Sequence, residues 1–229
     1  MFFTNFNKQL AIQHYGVDNE ADLRKKIYGT RSACNDEEID LLKKYVHDTD
    51  QFVYGEVGVY FGGTFKQMID HIDSTCKNYH CYGFDLFEDL EMETFGVNQT
   101  HELRNKWNIL NVAYRDNLDE TLKEMGCNNY TLVKGSSDDS LAALEVKFDL
   151  VFIDGNHTYA QCKKDFEASL KKCKKNAVIV FDNSSNDINP DPQYVEIDGG
   201  PWKVCQELMN DDRVEFLDKV LKFTSFRVK

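Results

Sequence analysis

Two acidic strand ends stand out in the chain. Phe148-Asp149-Leu150-Val151-Phe152-Ile153 is a nearly continuous apolar run that closes on Asp154. Ala177-Val178-Ile179-Val180-Phe181 is a second run, and it closes on Asp182 and Asn183. Between them lies a helical segment. Runs rich in β-branched and aromatic residues, joined through a helix, suit parallel strands buried on both faces. Ligands bind at the carboxyl ends of such strands. Asp154, Asp182 and Asn183 would therefore meet at one edge as three oxygen ligands, the donor set that hard divalent cations prefer. Plain strand-end polarity is the blander account of the same residues. The turn after Asp154, D-G-N-H-T-Y, is also good capping chemistry, because Asn156 or Thr158 can cap the following helix.

Other elements must hold these ends in place. Phe52-Val53-Tyr54-Gly55-Glu56-Val57-Gly58 reads as a strand ending in acid and glycine, and Val59-Tyr60-Phe61-Gly62-Gly63-Thr64 leads into a helix over Phe65 to Ile72. The glycines let the backbone turn sharply and come close to a ligand. Their spacing is not the G-x-G-x-x-G of a dinucleotide fingerprint. His80 to Phe84 is a second strand, closed by Asp85. An acid roughly 20 residues beyond a glycine loop is placed to accept hydrogen bonds from ribose hydroxyls. Tyr130–Lys134 is a third strand, and the Gly135-Ser136-Ser137 turn after it could touch an adenine edge or simply cap a helix. The spacing also predicts helices over His101–Ala113 and Leu118–Met125, with an acidic excursion from Leu86 to Thr100. Arg213–Asp218 and Leu221–Val228 are expected to form a terminal antiparallel hairpin joined by Asp218-Lys219.

The first 50 residues are polar and helix-prone. Asp18 can cap one helix running through Lys26. Asn35-Asp36-Glu37-Glu38 resembles a capping box opening a helix over Glu37–His47. These helices leave three readings open: a lid over the site, a contact in a homo-oligomer, or cover for one sheet face. Without an internal repeat or a linker, one domain is expected over 1–229, with 1–50 as a helical extension and 51–229 as the α/β core.

Composition narrows the function. The net charge is −12, from 27 basic and 39 acidic residues, which argues against a nucleic-acid partner. The clustered Lys171, Lys172, Lys174 and Lys175 read as the end of a helix, where cations offset the dipole. No apolar run is long enough for a membrane span. The seven cysteines include no C-x-x-C pair, so reduced thiols in a cytoplasmic protein are expected. MFFTNFNKQL has no basic stretch followed by an apolar one, so no secretion signal is expected.

The order of these features, E-x-G-x-x-x-G-G-T, G-F-D, G-S-S, I-D-G-N-H-T-Y and F-D-N after successive strands, resembles class I S-adenosylmethionine-dependent methyltransferases. More narrowly it resembles the divalent-metal-dependent O-methyltransferases, in the branch of macrocin- and mycinamicin-type sugar O-methyltransferases and cephalosporin-hydroxylase-like proteins. The resemblance covers about residues 50–228. It implies a Rossmann-like, doubly wound, seven-stranded, mostly parallel sheet with a C-terminal antiparallel hairpin. It implies that Glu56, Gly58, Gly62 and Thr64 line the methionine end of the cofactor, with Asp154 also bordering it. Asp85 would hold the ribose, Ser136 and Ser137 would lie near the adenine with Phe84 or Leu86, and Asp154, Asp182 and Asn183 would hold the metal, magnesium by preference. Where relatives place a catalytic lysine, three residues after the first metal Asp, this chain has His157. With an ordinary pKa of about 6.5, His157 could take the proton at neutral pH, or it could serve the turn alone.

The acceptor implied is a small molecule offering a hydroxyl, a sugar or another polyhydroxylated metabolite. Two rival classes stay on the table: an NAD(P)-linked α/β oxidoreductase, and a non-catalytic nucleotide-binding module that kept the fold.

Overall fold

The computed structural model describes residues 16–30, 32, 34–87, 115–185 and 199–229. The acidic excursion beyond Phe87 and the helix expected over 101–113 lie outside the described residues. In chain order the elements are α1 Glu20–Ile27, α2 Asp36–Lys44, β1 Phe52–Val57, α3 Gly63–Thr75, β2 Tyr79–Asp85, α4 Arg115–Glu124, β3 Tyr130–Lys134, α5 Ser137–Ala143, β4 Phe148–Ile153, α6 Tyr159–Lys172, β5 Cys173–Phe181, α7 Gly200–Leu208, β6 Val214–Val220 and β7 Phe223–Val228.

One seven-stranded sheet runs β3-β2-β1-β4-β5-β7-β6. The first five strands are parallel, and β7 lies antiparallel to both β5 and β6. The alternation along β4 explains why its run is apolar apart from Asp149. Leu150 and Phe152 join the core under α1 to α4, with Phe65, Met68, Leu118 and Leu122. Val151 and Ile153 point the other way, to Phe166 of α6 and Val204 and Leu208 of α7. With helices on both faces, neither side of a central strand meets water. Among the described residues no helix is long and apolar enough to cross a membrane.

The N-terminal helices cover one sheet face. Asn19, not Asp18, caps α1, by accepting from Asp22 N at 2.9 Å. Arg24 then pairs with Glu120 and Glu124 of α4 at 2.7 and 2.8 Å. The capping box of α2 is complete: Asn35 Oδ1 accepts from Glu38 N at 3.1 Å, and Asn35 N donates to Glu38 Oε2 at 3.0 Å. Only Lys171 and Lys172 of the lysine run lie in a helix's last turn. Lys174 is already in β5, 2.7 Å from Asp149 of β4.

The terminal hairpin turns later than expected. Its tight connection is Leu221-Lys222, with Leu221 at φ 50° and Val220 facing Phe223. Asp218 and Lys219 look like turn residues, yet both sit in β6. Asp218 is drawn into the strand by partners from α2: its carboxylate accepts from Tyr45 OH at 2.6 Å and Lys44 Nζ at 2.9 Å. This shift of the turn carries Lys222 to the edge of the sheet where Asp182 lies.

The capping box predicts a specific cost. Asn35→Ala should lower stability by about 1 kcal/mol, because Glu38 N and the first turn of α2 lose their acceptor. Urea unfolding checks it, and Asn35→Asp should recover most of the loss.

Candidate active site

The two acidic ends meet as expected. Asp154 N donates to Val57 O at 2.8 Å and Asp182 N to Ile153 O at 3.0 Å. The parallel ladder thus runs one residue past the strands and fixes both backbones. His157 Nε2 lies 3.4 Å from Asp154 Oδ1 and 3.9 Å from Asp182 Oδ2. One ligand atom from each of Asp154, His157 and Asp182 falls within 4.8 Å of the others. His157 joins the two aspartates in this cluster, and Asn183 stands against its ring. Asn183 takes a left-handed φ of 48°, and its Nδ2 lies 3.0 Å from His157 Nδ1. With the amide facing Nδ1, Nδ1 accepts and the proton sits on Nε2, toward Asp154. Turning the carboxamide over would reverse the tautomer and free Nε2 as a base.

The electrostatics favour a cation here. Burial, and then the charge of Asp182, hold the Asp154 carboxyl well above its usual range, with His157 opposing. Asp182 is buried, and its Oδ1 has no aligned hydrogen bond. Lys222 Nζ stands 3.0 Å from that oxygen as an ion pair. Burial works against the Lys222 charge, but the charge and close side-chain contact of Asp182, with Cys34 and Asp154 adding to them, raise its pKa. Two crowded carboxylates fit a divalent ion, since a cation would relieve their repulsion, and the imidazole beside them can serve as a base.

The glycine loop shapes the other side. Gly58 has φ 88°, and a Cβ there would stand 2.0 Å from the Asp154 carbonyl oxygen. Only glycine lets β1 end so close to the Asp154 turn. Gly62 caps α3 in a left-handed conformation. Asp85 ties the loop to β2: Oδ2 accepts from Tyr60 N and Oδ1 from Phe87 N, each at 2.7 Å. Burial raises the Asp85 pKa, and those backbone bonds partly offset it. Glu56 is buried at the end of β1, where Tyr54 OH donates to Oε2 at 2.6 Å. Burial pushes its carboxyl well above the ordinary value, Tyr54 pulls it down, and Asp154 and Asp85 add repulsion.

Two predicted contacts are engaged within the protein. The Ser136 hydroxyl bonds the Asp138 carboxylate. The Ser137 hydroxyl bonds Asp165 of α6, which also accepts from Gln161 Nε2 at 2.9 Å. Both serines thus fasten α5 at the end of β3, and the turn they anchor borders the site.

Sequence reading missed Ser32, Cys34 and Lys222 beside the site. Thr64, in the first turn of α3, has Oγ1 2.8 Å from Ser32 Oγ and donates to Cys34 Sγ at 3.5 Å. Burial and then Asp154 push the Cys34 thiol up to about 12, Thr64 lowers it, and Asp182 and Lys222 act in opposite directions. Cys34 is therefore a neutral thiol beside the acidic pair. Nothing in the chain around Ser32 and Cys34 signals this placement. Lys222 was hidden by the misplaced turn. On the far side, Gly200 N donates to His157 O at 3.0 Å, and a Cβ on Gly200 would lie 2.3 Å from Tyr159 N. The start of α7 is thereby seated on the His157 turn.

The raised Glu56 carboxyl has a consequence for stability. A carboxyl whose pKa is higher folded than unfolded binds more protons when folded. Its contribution is full below the unfolded value of about 4.3 and is lost as pH rises through the folded value. Glu56→Gln should therefore raise the melting temperature at pH 8, and the gain should fade toward pH 4. Thermal unfolding across that range checks it.

Comparison with known proteins follows the same lines. A family model described as a methyltransferase domain matches residues 56–184. Rv0187 from MTB, solved with cofactor bound, is 14% identical, with 98% of this chain and 96% of that chain covered and a TM-score of 0.60. The O-methyltransferase TomG from Streptomyces achromogenes, solved with S-adenosylmethionine, is 16% identical over 97% of this chain and 87% of that one, with a TM-score of 0.57. MycE of the mycinamycin biosynthetic pathway, solved with magnesium, S-adenosylhomocysteine and mycinamycin VI, is 16% identical over 83% of this chain and 48% of that one, with a TM-score of 0.53. At these identities the likeness is one of fold. No curated protein matches the chain in sequence. The family match spans more than half of the chain, from Glu56 of β1 to Ser184 just past Asp182, and the protein belongs to the methyltransferase-domain family.

Proposed function

We propose that the protein is an S-adenosylmethionine-dependent O-methyltransferase that uses a divalent cation, magnesium or manganese, to act on a hydroxyl of a small polyhydroxylated molecule such as a sugar. The observation that carries this is the convergence of Asp154, His157 and Asp182 within 4.8 Å, beside the glycine loop. MycE, solved with both magnesium and a mycinamycin, supports the metal and the acceptor class. TomG, solved with S-adenosylmethionine, supports the cofactor. The net charge of −12 disfavours nucleic acid as the acceptor. Seven free cysteines suit a reducing, cytoplasmic setting.

In this reading Glu56, Gly58, Gly62 and Thr64 bound the methionine end of the cofactor. Asp85 holds the ribose, and the turn at Ser136 and Ser137 borders the adenine. Asp154 lies between the two sites, with Asp182, His157 and Asn183 beyond it. When bound, the cofactor supplies an electrophilic methyl group and the cation supplies a Lewis acid for the acceptor hydroxyl. The protein's own part is positioning, which carries much of the rate in an in-line displacement. Asp154 and Asp182 would hold the cation beside the reacting hydroxyl. His157 accepts its proton at Nε2 once the Asn183 carbonyl faces Nδ1–H. Burial around Asp154 and Asp182 keeps water from competing.

Two measurements test the reading. S-adenosylhomocysteine should bind in calorimetry while NAD does not, and turnover on a panel of polyhydroxylated acceptors should vanish in EDTA and return with Mg²⁺ or Mn²⁺. Full turnover in EDTA would remove the metal. Separately, Asp182→Ala should cut turnover by roughly a hundredfold or more while leaving S-adenosylhomocysteine affinity near wild type. An equal loss of affinity would move Asp182 out of the metal role.

A further inference from the structure

The hairpin turn delivers a fixed positive charge to the acidic pair. Leu221 takes the left-handed conformation and faces solvent, and Lys222 follows it inward. Ser184, two residues past Asp182, clamps the Lys222 carbonyl, with N at 2.8 Å and Oγ at 2.9 Å; its Oγ also lies 2.7 Å from Thr224 Oγ1. The backbone that carries the ammonium is thus fastened to the strand end that carries Asp182. The result is a divided carboxylate. Asp182 Oδ1 faces Lys222 Nζ at 3.0 Å, and Oδ2 faces His157 and the cluster with Asp154. The Asp182 side chain is 4% exposed and that of Lys222 25%. An unpaired charge at such depth is costly, and Lys222 supplies the partner.

We propose that Lys222 is the resident counter-charge of the Asp154–Asp182 pair, and that it keeps the affinity of this pair for a divalent cation low by competing for Asp182. This rests on reading the pair as a cation site. Two positive charges on the two oxygens of one carboxylate repel across a few ångströms, in a place where water screens poorly. Lys222 also steadies the Asp182 side chain, which works in the opposite direction. That gain is the smaller of the two, because burial and the Asp182 N to Ile153 O bond already hold Asp182 in place. Lys222 is therefore an affinity-setting residue, one that acts through Asp182.

The test is Mn²⁺ titrated into the full chain, followed by calorimetry or by the loss of the free-ion resonance. Lys222→Met removes the charge and keeps an apolar stem beside Phe223. It should bind Mn²⁺ roughly tenfold more tightly than the wild type. Lys222→Arg keeps the charge and should stay within about twofold of it. Asp182→Asn should abolish binding in either background. Should Lys222→Met fail to fold, Lys222→Gln takes its place with the same expectation. Unchanged or weaker Mn²⁺ binding on loss of the charge overturns the proposal while leaving the cation site intact. Absence of Mn²⁺ binding in the wild type and in every variant overturns the cation site, and this proposal with it.

Discussion

Repulsion between two carboxylates at neighbouring strand ends is the constraint that organises this site. Asp154 is set by the β1–β4 ladder and Asp182 by the β4–β5 ladder, each continuing one bond past its strand. They cannot move apart without breaking those ladders. Everything around them answers the resulting charge. His157 stands between them, Lys222 takes the outer oxygen of Asp182, and Asp154 is displaced toward its neutral form. A site under this load favours cations.

The acid content extends beyond the pair. Glu56 and Asp85 close β1 and β2, and each is kept by a different device. Glu56 is buried against a tyrosine hydroxyl, whereas Asp85 is satisfied by two backbone amides of adjoining turns. The four acids line one sheet edge, yet their roles divide by environment. Asp85 braces the glycine loop, so the loop that would cradle a cofactor is held by the residue that would grip its ribose. Gly58 links this half to the other, because its missing Cβ is the space taken by the Asp154 carbonyl. The glycine loop and the Asp154 turn are thereby packed as one unit.

The N-terminal helices join this unit from one side. Their apolar faces complete the core over α3 and α4, and the segment between them brings Ser32 and Cys34 to Thr64. Of the three roles open to these helices, cover for a sheet face is the one that the packing displays. The same packing places a neutral thiol beside the acidic pair.

Much was legible in the chain itself. The apolar runs of β4 and β5 read as buried strands because helices shield both faces. The acidic strand closers then named Glu56, Asp85, Asp154 and Asp182, since in a parallel sheet the strand ends share one edge. The Asn35 capping box was equally plain, being a local interaction over four residues. Tertiary structure decided the rest. Asp218 and Lys219 have turn-like side chains, but Tyr45 and Lys44 pull Asp218 into β6, and the turn moves to Leu221-Lys222. Asn183 has ligand chemistry, but its left-handed backbone points the carboxamide at His157. Lys222, Ser32 and Cys34 come from segments remote in sequence from the acids they meet. Local pattern reports which residues end a strand; which remote side chains answer their charge depends on packing between elements, and that is set only when the sheet and its helices close together.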